Sequence, residues 1–278
     1  MKQLLQYTLY FVCLLLPYVA HAQADVPMGG RAAGLGNAAV TLPDLWALHN
    51  NVAGMAGLQQ VSAGAFVESR FGVRAFTTVA LLAVLPTAKY GAYGLSFSRF
   101  GDAVYSRQSV GIGVAHTLGQ VSLGAKAEVW QVAVKGYGSC KTVALSVGVQ
   151  AQVVPGVFFG AYAYNLNQAK LADFEDERLP TVMKAGLAYQ PYKKLLLAIE
   201  TEKNIDYAAN FKAGLEYRLL QEKLALRTGF STLTNQATFG LGFRARQLQV
   251  DYAFGTTTLL GQSHHLSLSY SLHQAIQH

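Results

Sequence analysis

The stretch that decides the fold runs from Asn210 to Leu219 and reads NFKAGLEYRL. Its apolar and polar residues alternate, with Phe211, Ala213, Leu215, Tyr217 and Leu219 on one face and Lys212, Gly214, Glu216 and Arg218 on the other. Neighbouring side chains of a β-strand point to opposite faces, so this period of two indicates a strand with one apolar surface. In a membrane barrel the apolar face meets lipid and the polar face lines the lumen.

Two later segments repeat the same division of faces. Leu248, Val250, Tyr252 and Phe254 alternate with Gln249, Asp251 and Gly255, and Leu266, Leu268, Tyr270 and Leu272 alternate with Ser267, Ser269 and Ser271. A soluble β-sandwich also alternates, but its polar face is normally richer in Lys and Glu and its strands are shorter. We therefore expect an all-β fold, an antiparallel transmembrane β-barrel.

The composition supports a membrane protein that crosses the bilayer with strands. Hydrophobic residues make up 51% of the chain and charged residues 13%, about half the share usual in a soluble domain. The mean hydropathy is +0.22. Beyond residue 22, no run of 18 apolar residues is present to form a membrane helix. The 15 Tyr and 14 Phe residues suit the aromatic girdles of a barrel.

From Gln60 onward the chain divides into about fourteen alternating segments, separated by Gly, Pro, Asn or charged residues. An even number of strands is the rule for single-chain bacterial barrels. The predicted spans are 60–70, 73–85, 90–100, 105–118, 121–135, 141–153, 157–166, 181–190, 194–203, 209–219, 223–232, 236–245, 247–257 and 264–272. Together they form a predicted barrel of residues 60–273, followed by a tail of residues 274–278.

The predicted connections alternate between short and long. Tight turns are expected at residues 86–89, 119–120, 155–156, 191–193, 221–222 and 246–247. Longer connections are expected at residues 101–104, 136–140, 167–180, 204–208 and 259–263. Because bacterial barrels have short periplasmic turns and longer outer loops, we expect the second set to face the cell exterior.

Residues 1–22 have the pattern of a secretory signal peptide. Lys2 precedes an apolar core over residues 4–19, and Ala20-His21-Ala22 forms a small-x-small cleavage motif. An N-terminal membrane anchor is the alternative, which we disfavour because Pro17 interrupts an apolar run that is already short. A cleaved signal predicts export, and with the barrel it predicts the outer membrane as the location.

Residues 23–59 differ from the strands that follow, and we call this segment the hatch. A run of small residues from Gly29 to Asn37 precedes Thr41 to Met55, which resembles a short helix with Pro43 near its first turn and Asp44 beside its positive end. The segment is too polar and too short to cross a membrane. We expect it to occupy the barrel lumen or the periplasmic mouth.

Two sets of residues are candidates for function. The first is the hatch motif: Gly30, Arg31, Gly34, Gly36, Asn37, Asn50, Asn51, Ala53 and Gly54. Small residues and amides suit a backbone that lies close to the barrel wall and is held by polar contacts. The second is a set of charges expected to face the lumen: Glu200, Glu202, Lys212, Glu216, Arg218, Arg227 and Asp251. We favour an internal salt-bridge network for them, with the selectivity lining of a pore as the alternative.

The hatch motif resembles that of the FadL-like outer-membrane proteins, and within them the PorV/PorQ group associated with type IX secretion. The resemblance is carried by residues 30–38 (GRAAGLGNA), 44–46 (DLW) and 50–55 (NNVAGM), with Val52 in place of the family's Pro or Gln. Residues 185–189 (AGLAY), 214–217 (GLEY) and 226–230 (LRTGF) are similar to later barrel strands of the family. The similarity thus spans most of the mature chain, and its specific part is the N-terminal motif.

The resemblance implies a fourteen-stranded barrel with an N-terminal hatch, surrounded by outer-membrane lipid. FadL-like members include fatty-acid and aromatic-hydrocarbon channels, whereas PorV-like members assist the secretion or surface attachment of other proteins. We therefore expect a non-enzymatic barrel that serves the type IX secretion apparatus or passes small hydrophobic molecules. A structural or interaction barrel with a closed lumen is the alternative. One departure is that Leu272 is followed by residues 273–278, without the terminal aromatic residue common in such barrels.

The sequence predicts no catalytic, metal or cofactor site. The hatch glycines follow no predicted strand and lack the closing Lys-Ser or Lys-Thr of a phosphate loop. His264 and His265 point to opposite faces of one strand, so at most one shares a face with the serines nearby, and no acidic residue is close in sequence. The acidic cluster in the loop 167–180 lacks the spacing of a calcium-binding loop. The net charge of +7 comes from scattered basic residues, which disfavours nucleic acid as a partner.

Signal peptidase should cleave after Ala22 and leave Gln23 at the mature N-terminus, because the small residues at positions 20 and 22 fit the enzyme. N-terminal sequencing of protein extracted from membranes measures this directly. A sequence that begins at Met1 would contradict the prediction.

The loop 167–180 should lie outside the cell, because it belongs to the longer set of connections. An epitope tag inserted at Asp176 should then bind antibody on intact cells. Labelling that requires lysis would reverse the predicted orientation of the barrel.

Overall fold

The computed structural model describes residues 27–87, 89–171, 178–257 and 260–272. In this part of the chain, fourteen antiparallel β-strands close into a single barrel. Each strand pairs with the strands before and after it in sequence, and the last strand pairs with the first. The predicted fourteen-stranded antiparallel barrel is confirmed.

The strands are numbered in chain order. They are β1 Ser62–Arg70, β2 Thr77–Thr87, β3 Gly91–Gly101, β4 Tyr105–Leu118, β5 Val121–Val134, β6 Gly138–Val154, β7 Val157–Tyr164, β8 Val182–Tyr192, β9 Leu195–Asn204, β10 Asn210–Leu219, β11 Leu224–Ser231, β12 Gln236–Ala245, β13 Leu248–Thr257 and β14 Gly261–Ser271. Among the larger shifts from the predicted spans, β2 begins after a 3-10 turn at Arg74–Phe76 and β6 begins already at Gly138. Both shifts lie at strand ends, where alternation marks a strand poorly.

The alternation sorts side chains between the lumen and the outside. In β10, Lys212 and Glu216 are buried, whereas Phe211 and Leu215 are exposed, as predicted. The other strands likewise leave large apolar side chains exposed around the barrel, for example Ile112 of β4. An apolar outer surface of this extent suits lipid rather than water.

The two ends of the barrel differ in their connections. At one end, called the short-turn end, lie the connections β2–β3, β4–β5, β6–β7, β8–β9, β10–β11 and β12–β13. The opposite end, called the long-loop end, holds the longest connection, between Tyr164 at the end of β7 and Val182 at the start of β8. The loop predicted at residues 167–180 therefore belongs to the long-loop end. That this end faces the cell exterior stays a prediction.

Some predicted features lie outside the described residues. They are the signal peptide of residues 1–22, the first part of the hatch at residues 23–26, the acidic cluster Asp173, Glu175, Asp176 and Glu177, and the tail of residues 274–278. Each of them stays a prediction from the sequence.

The described part of the hatch, residues 27–59, lies inside the barrel. It contains two short α-helices and a 3-10 helix: α1 Gly30–Gly34, α2 Ala47–Asn50 and the 3-10 helix Val52–Gly57. The prediction of one helix from Thr41 to Met55 is wrong in its extent, because Asn51 is extended (φ −163°, ψ 101°) and separates the two helical pieces. None of the helices in the described ranges is long and apolar enough to cross a membrane.

The hatch packs closely against inward-facing glycines of the wall, and we call these glycines its seat. A Cβ atom added at Gly214 would lie 2.5 Å from the carbonyl oxygen of Leu35, and one at Gly124 would lie 2.7 Å from the backbone nitrogen of Ala53. Hatch atoms approach the Cβ position as closely at Gly64, Gly94, Gly113, Gly148, Gly160 and Gly229. Any larger residue at these positions would push the hatch away from the wall.

Gly148→Ala should destabilise the folded protein, because the added methyl group would overlap the side chain of Asn51 in the hatch. Overpacking of this kind costs about 1–3 kcal/mol. Gly255→Ala is the matched control on the inner wall, since its methyl group first meets the flexible side chain of Gln236. Urea unfolding in detergent measures both free energies. Equal values for the two variants would contradict the proposed seat.

Candidate functional site

Glu200 of β9 holds the middle of the hatch. Its Oε2 atom accepts hydrogen bonds from the backbone N–H groups of Ala39 and Val40, both at 2.8 Å. Its Oε1 atom accepts a hydrogen bond from the ammonium group of Lys212 on β10 at 3.0 Å. The Glu200 carboxylate therefore joins the hatch to the wall, and Lys212 of the wall neutralises its charge.

Two wall hydroxyls hold helix α1 at its two ends. The Oγ atom of Ser267 accepts a hydrogen bond from the backbone N–H of Gly30 at 2.9 Å. The Oγ1 atom of Thr238 accepts one from the N–H of Gly36 at 3.0 Å and donates one to the carbonyl oxygen of Gly34 at 3.2 Å. The wall thus satisfies backbone groups that a helix this short leaves unpaired.

Asn51 is fully buried and binds both the hatch and the wall. Its Nδ2 atom donates to the carbonyl oxygens of Val40 at 2.7 Å and Val149 at 3.1 Å, and its Oδ1 atom accepts from the N–H of Ala53 at 3.3 Å. Gln150 of the wall donates to the same Val40 carbonyl at 2.9 Å. The side chain of Asn51 therefore connects Val40 to Ala53 within the hatch and joins both to β6 of the wall.

The other amides of the hatch motif shape the hatch itself. The backbone N–H of Met28 donates to Oδ1 of Asn50 at 2.8 Å, and Nδ2 of Asn50 donates back to the Met28 carbonyl oxygen at 2.9 Å. Asn37 takes a left-handed backbone conformation with φ 66°, as amides tolerate in turns. Gly54 packs so closely against Leu42 that a Cβ atom would lie 2.8 Å from the Leu42 carbonyl oxygen. These residues give the hatch its internal structure.

Arg31 connects the hatch to the wall charges. It donates hydrogen bonds to both carboxylate oxygens of Glu216, at 2.9 and 3.0 Å, and forms an ion pair with Asp44 of the hatch at 3.1 Å. Burial lowers the pKa of Arg31, but the charges of Glu216 and Asp44 outweigh burial and hold that pKa above its ordinary value. Burial raises the pKa of Asp44 above its ordinary value, although Arg31 opposes the shift.

Most of the other predicted lumen charges pair within the wall. Glu216 also binds Arg227 at 2.6 Å and Arg218 at 2.8 Å, and Arg227 binds Asp251 at 2.7 Å. Glu216 and Arg227 lie on the neighbouring strands β10 and β11, Arg218 lies on the same strand as Glu216, and Asp251 of β13 reaches Arg227 past the glycines of β12. The wall charges of this region therefore compensate one another without the hatch.

A second group of wall charges lies on β8, β9 and β10. Glu202 binds Lys212 at 2.6 Å and Lys184 at 3.7 Å, and all three side chains are buried. Lys184 was not among the predicted lumen residues. Its inward position follows from the alternation of β8, in which Val182, Lys184 and Gly186 share a face, so that signal was present in the sequence.

Further charges of the inner wall were not among those predicted, although two of their ion pairs join residues two positions apart on one strand, which share a face. Lys126 and Glu128 of β5 form an ion pair at 2.9 Å, and Glu68 and Arg70 of β1 form one at 2.7 Å. His265 of β14 lies 3.5 Å from Glu68, so barrel closure supplies the acidic neighbour that the local sequence lacks. As predicted, His264 points the other way and is exposed. The described residues show no arrangement that identifies a catalytic role for these groups.

A cavity of about 330 Å³ opens at the short-turn end, and we call it the mouth cavity. Its floor is formed by the hatch residues Leu42, Leu45 and Trp46. Its walls include apolar residues such as Phe158 and Leu196 and polar residues such as Arg218, Arg244 and Gln249. The cavity above the hatch thus has a lining of apolar and polar residues, with arginines at its rim.

No family model and no curated protein sequence matches the chain. Solved structures, however, share its fold. The CymD monoaromatic hydrocarbon channel matches with a TM-score of 0.64 and 12% identity, over 91% of this chain and 100% of that chain. The Pseudomonas putida toluene transporter TodX matches with a TM-score of 0.64 and 11% identity, over 90% of this chain and 100% of that chain. A Pseudomonas aeruginosa FadL homologue matches with a TM-score of 0.64 and 13% identity, over 91% and 100%.

Identities this low show a shared fold. Two of the neighbours named are described as a monoaromatic hydrocarbon channel and a toluene transporter. The assignment to the PorV/PorQ group stays a prediction from the hatch motif. What the structures do show is that this chain has the fold of the FadL-type outer-membrane barrels, a closed barrel of fourteen strands with a small helical N-terminal segment.

Proposed function

We propose that the protein is an outer-membrane barrel in which the hatch controls the passage of small hydrophobic molecules. The observation that carries the proposal is that the described part of the hatch lies in the lumen without joining the sheet. A segment held by side-chain contacts and close packing can shift while every strand of the barrel stays paired.

The charges support a hatch that can move. Arg31 has its own counter-ion within the hatch, Asp44, so the pair can shift together. Glu216 keeps Arg218 and Arg227 when Arg31 leaves, and Glu200 keeps Lys212. Movement of the hatch therefore leaves each of these buried charges with a partner, whereas a buried charge that loses its partner costs about 3–5 kcal/mol.

The mouth cavity supports a small hydrophobic molecule as the cargo. Leu42, Leu45 and Trp46 offer an apolar floor, and Phe158 and Leu196 continue it up the wall. Pockets for small molecules are mostly apolar with a few polar groups that fix orientation. The neighbours that share the fold are themselves described as hydrocarbon channels, which agrees with this class of cargo.

Service in type IX secretion is the second candidate. It rests on the resemblance of the hatch motif to the PorV/PorQ group and on the dense packing of the hatch. Leu35, Leu48, Val52 and Met55 are completely buried between the hatch and the wall. A firmly seated hatch suits a barrel that binds other proteins instead of passing small molecules, and it equally suits a closed structural barrel.

Asn51→Leu should separate these functions. The substitution removes the hydrogen bond that joins the hatch to the Val149 carbonyl oxygen of the wall, which contributes about 1 kcal/mol, and two hydrogen bonds within the hatch. A loss of even 1–2 kcal/mol changes the ratio of seated to displaced hatch by about 5- to 30-fold. If the hatch gates a path, uptake of a labelled monoaromatic hydrocarbon by intact cells should rise several-fold, to an extent set by that ratio.

The control is Gln262→Leu, an exposed position at the long-loop end of β14. Heat-modifiable migration on gels shows whether each variant has a folded barrel. Unchanged uptake with less cargo protein at the cell surface would contradict gating and support the secretion role. If neither uptake nor surface cargo changes while the barrel is folded, the result supports a purely structural barrel.

A further inference from the structure

Basic residues gather on one side of the short-turn end. We call this set the basic arc: Lys193, Lys194, Arg218, Lys223, Arg244 and Arg246. Backbone hydrogen bonds place its parts side by side, from Arg218 N–H to the Lys194 carbonyl oxygen and from Arg244 N–H to the Lys223 carbonyl oxygen, both at 2.8 Å. The turns at residues 119–120 and 155–156, on the other side of the same end, carry no charge.

Apart from Arg218, which pairs with buried Glu216, the residues of the basic arc form no ion pair with an acid among the described residues. Glu222 is the acidic residue in its turns, and it lies 3.7 Å from Arg218. Arg244 donates its hydrogen bonds to the neutral amide oxygen of Gln249, at 2.6 and 3.1 Å, and pairs with no carboxylate among the described residues. The buried charges deeper in the lumen at this end form ion pairs, so the surplus of positive charge at the short-turn end lies at its rim.

The basic arc borders the mouth cavity, which is lined by both apolar and polar residues. Arg218 and Arg244 line the mouth cavity, whose floor is formed by Leu42, Leu45 and Trp46. Lys223 lies beside the same two arginines around a smaller hollow next to it. An occupant that satisfies both features carries several negative charges and at least one bulky apolar group.

The positions of the arginines favour a peptide over a membrane lipid. Arg218 shares its face of β10 with buried Glu216, and Arg244 shares its face of β12 with buried Gly240 and Gly242, so both lie on the inner side of the barrel. Lipid headgroups lie around the outer wall, where exposed residues such as Phe243 face the bilayer. A soluble chain that approaches the open end can reach the inner rim.

We propose that the basic arc and the mouth cavity together dock an acidic segment of a partner protein, with a bulky apolar side chain seated in the cavity. The segment's carboxylates pair with Arg244, Lys223 and Arg246, and its apolar side chain contacts the half-buried residues Leu58 and Phe158 that line the cavity. This is a protein-binding site, additional to any path for small molecules.

The test uses the purified full-length protein in an uncharged detergent and a fluorescein-labelled peptide of sequence EDEWLEDE. Fluorescence anisotropy should show saturable binding that weakens as salt is added, because the contact is between exposed charges. A peptide QNQWLQNQ, without charge, and a peptide EDEAAEDE, without the apolar anchor, should each bind at least about tenfold more weakly, a difference of about 1.4 kcal/mol.

Arg244→Glu is the diagnostic variant, and Lys89→Glu is its matched control. Both reverse one positive charge at the short-turn end, but Lys89 lies in the β2–β3 turn, outside the basic arc. Arg244→Glu should weaken binding of EDEWLEDE by at least about tenfold, and Lys89→Glu by less than about twofold. Heat-modifiable migration confirms that each variant is folded.

Three results would overturn the proposal. They are no saturable binding of EDEWLEDE, equal losses in the two variants, and equal binding of EDEWLEDE and EDEAAEDE. Phosphatidylglycerol in mixed micelles that binds with the same dependence on Arg244, while the peptide does not bind, would show a lipid-headgroup site instead. The assay measures peptide binding and no transport, so its failure leaves the gating proposal for the hatch unaffected.

Discussion

Closure of the sheet between β1 and β14 is the constraint on which the rest of the structure depends. Lipid offers no partner for backbone N–H and C=O groups, so a spanning sheet must pair every strand on both sides. The pairing of residues 62–70 with residues 263–271 achieves this. Fourteen strands, however, enclose a lumen too wide for wall side chains alone to fill. In this protein the described part of the hatch occupies that space.

Contact with the hatch in the lumen in turn determines which residues the wall carries on its inner face. Where the hatch backbone presses against a strand, the wall offers glycine, as at Gly124 and Gly214. Where the hatch has unpaired backbone groups, the wall offers an acceptor or a donor, as at Glu200 and Thr238. The inner face of the wall therefore packs closely against the hatch at some positions and forms hydrogen bonds with it at others. The charges of this inner face are neutralised largely by other wall residues. The barrel therefore does not need the hatch to neutralise its charges.

The sequence was sufficient to predict the strands and the direction of their side chains, because lipid outside and polar groups inside impose a period of two, as in β10. It did not predict the internal structure of the hatch. Residues 30–34 form a helix whose end contacts come from Ser267 and Thr238, more than two hundred positions later in the chain. The approach of His265 to Glu68 likewise exists only after the barrel closes. Contacts that form only when the barrel closes leave no pattern in the local sequence from which they could be predicted.

The two charge patterns of the molecule have different physical origins. Inside the lumen an unpaired charge would be costly, so Glu216, Arg227 and Asp251 form pairs that folding itself requires. At the short-turn rim, water solvates charges cheaply, and folding imposes no such balance. The surplus around Arg244 is therefore unexplained by the stability of the barrel, and like charges held together raise its free energy. A one-sided surplus beside an apolar cavity is accounted for by something the rim binds, which makes the rim, with the hatch, a second place to look for function.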